Sequence, residues 1–154
     1  DGDQMAIHVP LSIDAQAESY LLMLGPNNFM SPATGEPILL PSQDMVLGSH
    51  YLTSQNRPSA KGNHHYFANM DSVLQAYNCD KIALHSSIWL KFLGQIQTST
   101  KPVLLETTPL NDGSVLFTYT DHQIRKKAGE ILVTYILTTP GRVLFNNLLN
   151  SVVA

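Results

Sequence analysis

The chain has 154 residues, of which 44% are hydrophobic and 14% are charged, and its formal net charge is −3. This composition is sufficient for a buried core, and the low charge suggests that other protein covers part of its surface. Phosphate neutralisation drives nucleic-acid binding, so scattered basic residues argue against nucleic acid held by this chain alone. The sequence contains no apolar run long enough to predict a membrane span. Its single cysteine, Cys79, excludes an internal disulfide and a cysteine-rich zinc site.

The first twelve residues, DGDQMAIHVPLS, place the carboxylates of Asp1 and Asp3 directly before an apolar run. This pattern predicts a buried strand over residues 5–11. Gly2 permits backbone angles that a residue with a Cβ resists. The Asp-x-Asp spacing lets two side chains converge on one hard divalent cation such as Mg²⁺, although an isolated Asp-Gly-Asp is more often an ordinary turn.

Periodicity and capping residues predict helices and strands along the rest of the chain, which gives an α+β fold class. Helices are predicted at residues 13–24, 43–53, 71–78 and from Pro140 onwards. Strands are predicted at residues 38–40, 82–85, 88–92, 103–105, 115–119 and 131–136, with a hairpin turn at 111–113. An exposed loop is predicted at 54–66, and a solvated turn at the basic cluster Arg125, Lys126 and Lys127.

Polar side chains are predicted to cap the first three helices: Ser12, Ser42 and Asp71. The apolar sides of these helices, which include Leu21, Val46 and Val73, are predicted to face a core. Trp89 is expected to anchor the core of the strand region.

The first twelve residues resemble the end of the active-site motif of the largest catalytic subunit of multisubunit RNA polymerases, called β′ in bacteria. In that family the motif ends Asp-Gly-Asp-Gln-Met-Ala and runs into a strand that ends His-Val-Pro-Leu. The resemblance continues in NNFMSPA at 27–33, GEPI at 35–38 and PSQDMVLG at 41–48, and it returns in TTPGR at 138–142. Between about residues 56 and 130 it is loose.

The resemblance implies that residues 1–40 are the end of a double-psi β-barrel with its metal loop, and that residues 41–154 form a mixed α/β pore domain. It also implies that Asp1 and Asp3 are catalytic Mg²⁺ ligands. The family has a further aspartate two residues before Asp1, so the chain is expected to be a fragment that is inactive by itself. The family's zinc site is expected to lie outside it.

The implied activity is Mg²⁺-dependent nucleotidyl transfer from NTPs to the RNA 3′ end during transcription. The implied partners are the β, α and sigma subunits and the second part of β′, with DNA, RNA and NTPs in the assembled enzyme and no membrane. Residues 67–92 are more similar to the plastid and cyanobacterial form, which favours a chloroplast enzyme, with the cyanobacterial cytoplasm as the alternative.

Two other interpretations stay open at this point. The chain could be a non-catalytic barrel-like binding module in which Asp1 and Asp3 form an ordinary turn. It could also be a scaffold whose apolar C-terminal segment docks on a neighbouring subunit.

Overall fold

A computed structural model describes residues 2–55, 61–98 and 100–153. The chain divides into two compact units, residues 1–45 and 46–154. The helices are α1 (Ile13–Leu22), α2 (Asp44–Thr53), α3 (Met70–Asn78) and α4 (Pro140–Val153). The strands are β1 (Tyr66–Phe67), β2 (Ile88–Lys91), β3 (Leu104–Pro109), β4 (Val115–Tyr119), β5 (His122–Lys127) and β6 (Glu130–Thr138). The predicted α+β class is confirmed. In the part of the chain that the structure describes, no helix has the length and apolarity needed to cross a bilayer.

The first unit contains α1, whose beginning follows the prediction. The Ser12 hydroxyl accepts a hydrogen bond from the backbone N–H of Ala15 at 3.2 Å, which satisfies one of the free donors of the first helical turn. The helix ends at Leu22, and Gly25–Asn27 forms a single 3₁₀ turn that begins with Gly-Pro.

The two strands predicted in the first unit are wrong. Residues 5–11 and 38–40 form no strand, and their apolar side chains are exposed, with Ile7 at 95% and Leu39 at 63%. A strand needs a neighbour to take its N–H and C=O groups. Among the described residues no backbone–backbone hydrogen bond reaches residues 5–11, and the segment 38–40 has only the bond from the Ile38 N–H to the Phe29 carbonyl oxygen at 2.7 Å. No described residue of residues 2–45 is buried, and Leu21, which was predicted to face a core, is 70% exposed.

The second unit is built on a six-stranded sheet in the order β1-β2-β6-β5-β4-β3. β1 and β2 are parallel, and the remaining pairs are antiparallel. β4 and β6 lie where they were predicted, whereas β1 and β5 were not predicted. The basic cluster of residues 125–127 lies within β5 instead of a solvated turn, because β4 and β6 pair with both of its sides.

Helices α3 and α4 pack against β1, β2 and β6 on one face of this sheet and form the core there. The fully buried residues Val73 of α3 and Val143 of α4 pack with Ile88 and Leu90 of β2. Alternation along β2 sends Trp89 to the opposite face, where it is 6% exposed and stacks on the ring of Tyr66. Trp89 is thus buried, as predicted.

Three local predictions in the second unit are wrong. Residues 82–85 form a turn instead of a strand, because the Ser86 hydroxyl accepts from the N–H of Ala83 and donates to the carbonyl of Lys61. Asp71 does not cap α3. The side chain of Asn69 accepts from the Ser72 N–H at 2.8 Å and so starts the helix two residues earlier. Val46 of α2, which was predicted to face a core, is 53% exposed.

The first turn of α4 is held against the end of α2. A Cβ on Gly141 would collide with the backbone carbonyl oxygen of Leu52, so only glycine allows this approach. Arg142 Nε donates to the carbonyl oxygen of Thr53 at 2.9 Å. The Gly141 N–H donates to the carbonyl of Leu84 at 3.0 Å.

The two edges of the sheet are irregular. β1 has only two residues. β3 has a bulge between Leu104 and Glu106 and ends at Pro109.

Candidate functional site

The acidic segment predicted to bind metal lies at the start of the first unit. Asp1 lies outside the described residues. Asp3 is exposed, and Gly2 before it has a φ of 91°, in the region that favours glycine. No atom lies within 4 Å of the position that a Gly2 Cβ would occupy, so glycine is needed here for its backbone angle and not for space.

Asp3 has the right donor chemistry for magnesium, because Mg²⁺ prefers hard oxygen ligands and keeps several waters. Within residues 2–55, 61–98 and 100–153, no group of three or more His, Cys, Asp or Glu side chains is arranged to hold a metal ion. The assignment of Asp3 as a metal ligand therefore stays a prediction.

A polar network that sequence reasoning missed closes the hairpin between β3 and β4. Asp112 Oδ1 accepts from the hydroxyl of Ser114 at 2.5 Å and from its backbone N–H at 3.1 Å. Arg125 forms an ion pair with Asp112 and donates from Nε to the Ser114 hydroxyl. The hydrogen bonds from Ser114, together with the Arg125 charge, lower the pKa of Asp112 from 3.8 to about 2. This network connects the turn between β3 and β4 to β5.

Most of the positive charge in β5 is engaged within the sheet. Arg125 forms an ion pair with Asp112, and the ammonium group of Lys126 lies 5.6 Å from the centre of the Phe117 ring. Two of the three basic side chains predicted to lie in a solvated turn therefore contact other side chains of this unit.

A buried histidine joins α2 to the turn after α3. His85 is 5% exposed, its Nδ1 lies 3.2 Å from the carbonyl oxygen of Ser54, and Tyr51 contacts its ring edge to face at 4.7 Å. Its Nε2 is buried without a partner among the described residues. Nothing in the local sequence signals this contact, because Ser54 and His85 are 31 residues apart.

A second buried histidine lies in β5. His122 is 4% exposed, and its Nδ1 lies 2.6 Å from Oδ1 of Asp121. Its ring stacks on Tyr119 with centroids 4.4 Å apart and planes 13° apart. The adjacent Asp-His pair was visible in the sequence, but β5 was not predicted, so its burial could not be inferred.

Comparison with known proteins identifies the family. Residues 28–152, which are 125 of the 154 residues, match RNA polymerase Rpb1, domain 3. The chain belongs to this family. The match includes residues 56–130, where the resemblance in the sequence is loose, and the predicted resemblance to the largest RNA polymerase subunit is confirmed.

Individual relatives agree with the family. The chain is 49% identical over 147 residues to the DNA-directed RNA polymerase subunit beta′ of Gracilaria tenuistipitata var. liui, covering 95% of this chain and 23% of the relative. It is 49% identical over 148 residues to the subunit gamma of Picosynechococcus, covering 95% of this chain and 23% of the relative. It is 50% identical over 152 residues to the subunit beta′ of Thalassiosira pseudonana, covering 98% of this chain and 20% of the relative. The chain thus spans about a quarter of the length of the curated relatives it matches.

Proposed function

We propose that this chain is a part of the catalytic subunit of a DNA-directed RNA polymerase, and that the assembled enzyme transfers nucleotides from NTPs to the RNA 3′ end. The observation that carries this proposal is the identity of about half of the residues over nearly the whole chain to subunits beta′ and gamma. The enzyme would be a nucleotidyltransferase that acts in transcription.

The residues proposed to act in this reaction are Asp1 and Asp3, as two of the Mg²⁺ ligands. A bound Mg²⁺ would neutralise charge that develops on phosphate and would lower the pKa of a hydroxyl nucleophile. Asp3 would contribute hard carboxylate oxygens from an exposed position beside Gly2, so that neither helix nor sheet restricts their approach to the metal.

The finer fold assignment is also a proposal. Residues 1–40 would be the end of a double-psi β-barrel, and residues 41–154 would be the pore domain. Segments 5–11 and 38–40 expose their apolar side chains, which is what we would expect of strands whose main pairing partners belong to another polypeptide or segment. The sheet and helices of the second unit support a separate domain for most of the remainder.

The partners and the location are proposals as well. We propose contacts with the β, α and sigma subunits and the second part of β′, and with DNA, RNA and NTPs in the assembled enzyme. The relatives come from plastids and cyanobacteria, so a chloroplast is the proposed location and the cyanobacterial cytoplasm is the alternative.

The deciding experiment replaces Asp1 and Asp3 by alanine in the full-length subunit of an assembled polymerase. Loss of metal binding removes several kcal/mol of transition-state stabilisation, so we expect nucleotide addition to fall at least about a hundredfold. RNA primer extension measures the rate, and size-exclusion chromatography checks that assembly is retained. Asp14→Ala is the matched control, because Asp14 is an exposed carboxylate in the first turn of α1. A double variant that extends RNA at the normal rate would refute the catalytic assignment.

A second function, a non-catalytic module that docks another subunit, is favoured by one observation. The described residues of the first unit bury nothing and expose Met5, Ile7, Val9 and Leu11. This alternative predicts that Ile7→Asp prevents assembly while the Asp1 and Asp3 double variant remains active. The catalytic proposal predicts an assembled but inactive double variant.

A further inference from the structure

The turn that joins β3 to β4 contains an aspartate followed directly by a glycine, Asp112 and Gly113. The Gly113 N–H donates to the carbonyl oxygen of Leu110 at 3.2 Å and closes the turn, and Gly113 has a φ of 84°. In such a pair the backbone nitrogen of the glycine can attack Cγ, the carboxyl carbon of the aspartate. Glycine favours this attack because it has no Cβ to obstruct the approach of the two atoms.

The reaction passes through a five-membered succinimide ring. A bond forms between the Gly113 nitrogen and Cγ of Asp112, the bond from Cγ to the hydroxyl of the carboxylic acid breaks, and the amide proton leaves with that hydroxyl as water. A water molecule then adds to one of the two ring carbonyl groups and reopens the ring. One opening restores aspartate, and the other gives isoaspartate, whose main chain is one carbon longer.

The carboxyl group of Asp112 is held in its unreactive form. Ring closure needs the neutral acid, because an ionised carboxylate has no hydroxyl that can leave as water. Asp112 accepts hydrogen bonds from the N–H and the hydroxyl of Ser114 and forms an ion pair with Arg125. These contacts lower the pKa of Asp112 from 3.8 to about 2. At pH 7 the neutral fraction of this carboxyl group is therefore about sixtyfold smaller than at the ordinary pKa.

The same contacts oppose the bond changes of ring closure. Oδ1 of Asp112 is bonded to Ser114, and Oδ2 is paired with Arg125. Ring closure removes one of these two oxygens, so it breaks the contacts with Ser114 or the contact with Arg125. The attacking nitrogen also has to lose the proton that it donates to Leu110. Both reacting groups are thus engaged by other residues of the turn or of β5.

We propose that Asp112 and Gly113 form a latent site of isoaspartate formation, and that Ser114 and Arg125 suppress the reaction in the folded chain. The site becomes reactive when Arg125 of β5 separates from the turn. Conversion lengthens the main chain of the turn between β3 and β4 and moves the carboxylate that pairs with Arg125. The reaction needs only water, so the folded sheet is what sets its rate.

The experiment measures isoaspartate at position 112 in the assembled polymerase that contains this chain, incubated at neutral pH, by peptide mass spectrometry with electron-transfer fragmentation. We expect isoaspartate to accumulate at least about tenfold more slowly than in the same protein unfolded in guanidinium chloride. Arg125→Gln should raise the rate in the folded protein at least about fivefold. Lys126→Gln is the matched control, because Lys126 is the next residue of β5 and lies over Phe117, and it should change the rate less than twofold. Equal rates in the folded and unfolded protein, or equal acceleration by both variants, would overturn the proposal.

Two further variants separate the loss of this contact from a general loss of stability. Ile88→Ala removes a core side chain that lies outside the turn, so the rate should change less than twofold while the protein is folded. Arg125→Lys keeps a cation but loses the bond from Nε to the Ser114 hydroxyl, and it should react at least about twofold faster than the parent. This variant also serves if Arg125→Gln fails to fold. Acceleration by Ile88→Ala as large as that by the Arg125 variants, or a parent rate in Arg125→Lys, would contradict the role of Arg125.

Discussion

Both units of the chain carry large apolar side chains, but only the second unit buries a set of them. In residues 2–45 the side chains of Ile7 and Leu11 are more than 90% exposed, whereas in the second unit Ile88 and Val73 are fully buried. The second unit contains the strands that pair with β2 and the helices that cover it. The first unit has one helix and no paired strand among its described residues. An apolar pattern in the sequence therefore predicts that a side chain is buried. It does not say whether the residues that bury it belong to the same chain.

The largest expected effect on this comparison comes from truncating one isoleucine in each unit. Ile88→Ala should cost about 2–5 kcal/mol of unfolding free energy, because it leaves a cavity between β2 and the helices. Ile7→Ala should cost less than about 0.5 kcal/mol. Urea denaturation followed by fluorescence of Trp89, the single tryptophan, measures both. An equal loss of unfolding free energy in the two variants would show that Ile7 is buried, and would contradict the difference between the two units.

A smaller difference is expected between two helical glycines. Gly141→Ala places a Cβ against the Leu52 carbonyl oxygen and should cost about 1–3 kcal/mol. Gly48→Ala in α2 meets no atom within 4 Å and should stabilise by up to about 1 kcal/mol, because alanine favours helix. The same denaturation measurement applies. If both variants were stabilised, the close approach of α4 to α2 would be disproved.

Acid should weaken the second unit through the hairpin network. The pKa of Asp112 is lowered in the folded chain to about 2 from 3.8, so its contribution is fully present above pH 4 and is lost as the pH falls from about 4 towards 2. The free energy of unfolding, measured across that window, should therefore fall more steeply in the parent chain than in Asp112→Asn. Identical slopes in the two proteins would mean that the network contributes nothing.

The smallest expected effect concerns the turn between β5 and β6. Ala128 and Gly129 both have positive φ, 53° and 85°, which is the geometry of a two-residue turn that favours Asn-Gly. Ala128→Asn should stabilise by about 0.5–1 kcal/mol, since asparagine tolerates this region better than alanine. Ala128→Val should destabilise, because its branched Cβ resists positive φ. Thermal unfolding of the pair gives the sign, and a stabilising valine would contradict the assigned turn.

The sequence predicted the elements whose signals are local. Ser12 caps α1, and the β-branched and aromatic residues of β4 and β6 form strands as expected. β5 was missed because HQIRKK is polar and basic, and only pairing on both sides makes it a strand. Residues 38–40 failed for the opposite reason, since an apolar run becomes a strand only when a neighbour pairs along its length, and here a single backbone–backbone hydrogen bond, from the Ile38 N–H to the Phe29 carbonyl oxygen, is made.

The candidate sites likewise divide into those with a local sequence signal and those without one. The paired aspartates were visible as a motif, and the assignment of Asp1 and Asp3 as metal ligands stays a prediction. The network of Asp112 and Arg125 could not be predicted, because it depends on residues that only the sheet brings together.

The ragged borders of the sheet have a consequence for assembly. A strand of two residues on one side, and a bulged strand that stops at a proline on the other, offer no long straight row of backbone donors and acceptors to an incoming chain. Open-ended association of subunits through a continuous β-sheet is therefore disfavoured. We expect neighbouring polypeptides to bind side-chain surfaces of this fold and not to add strands to its sheet.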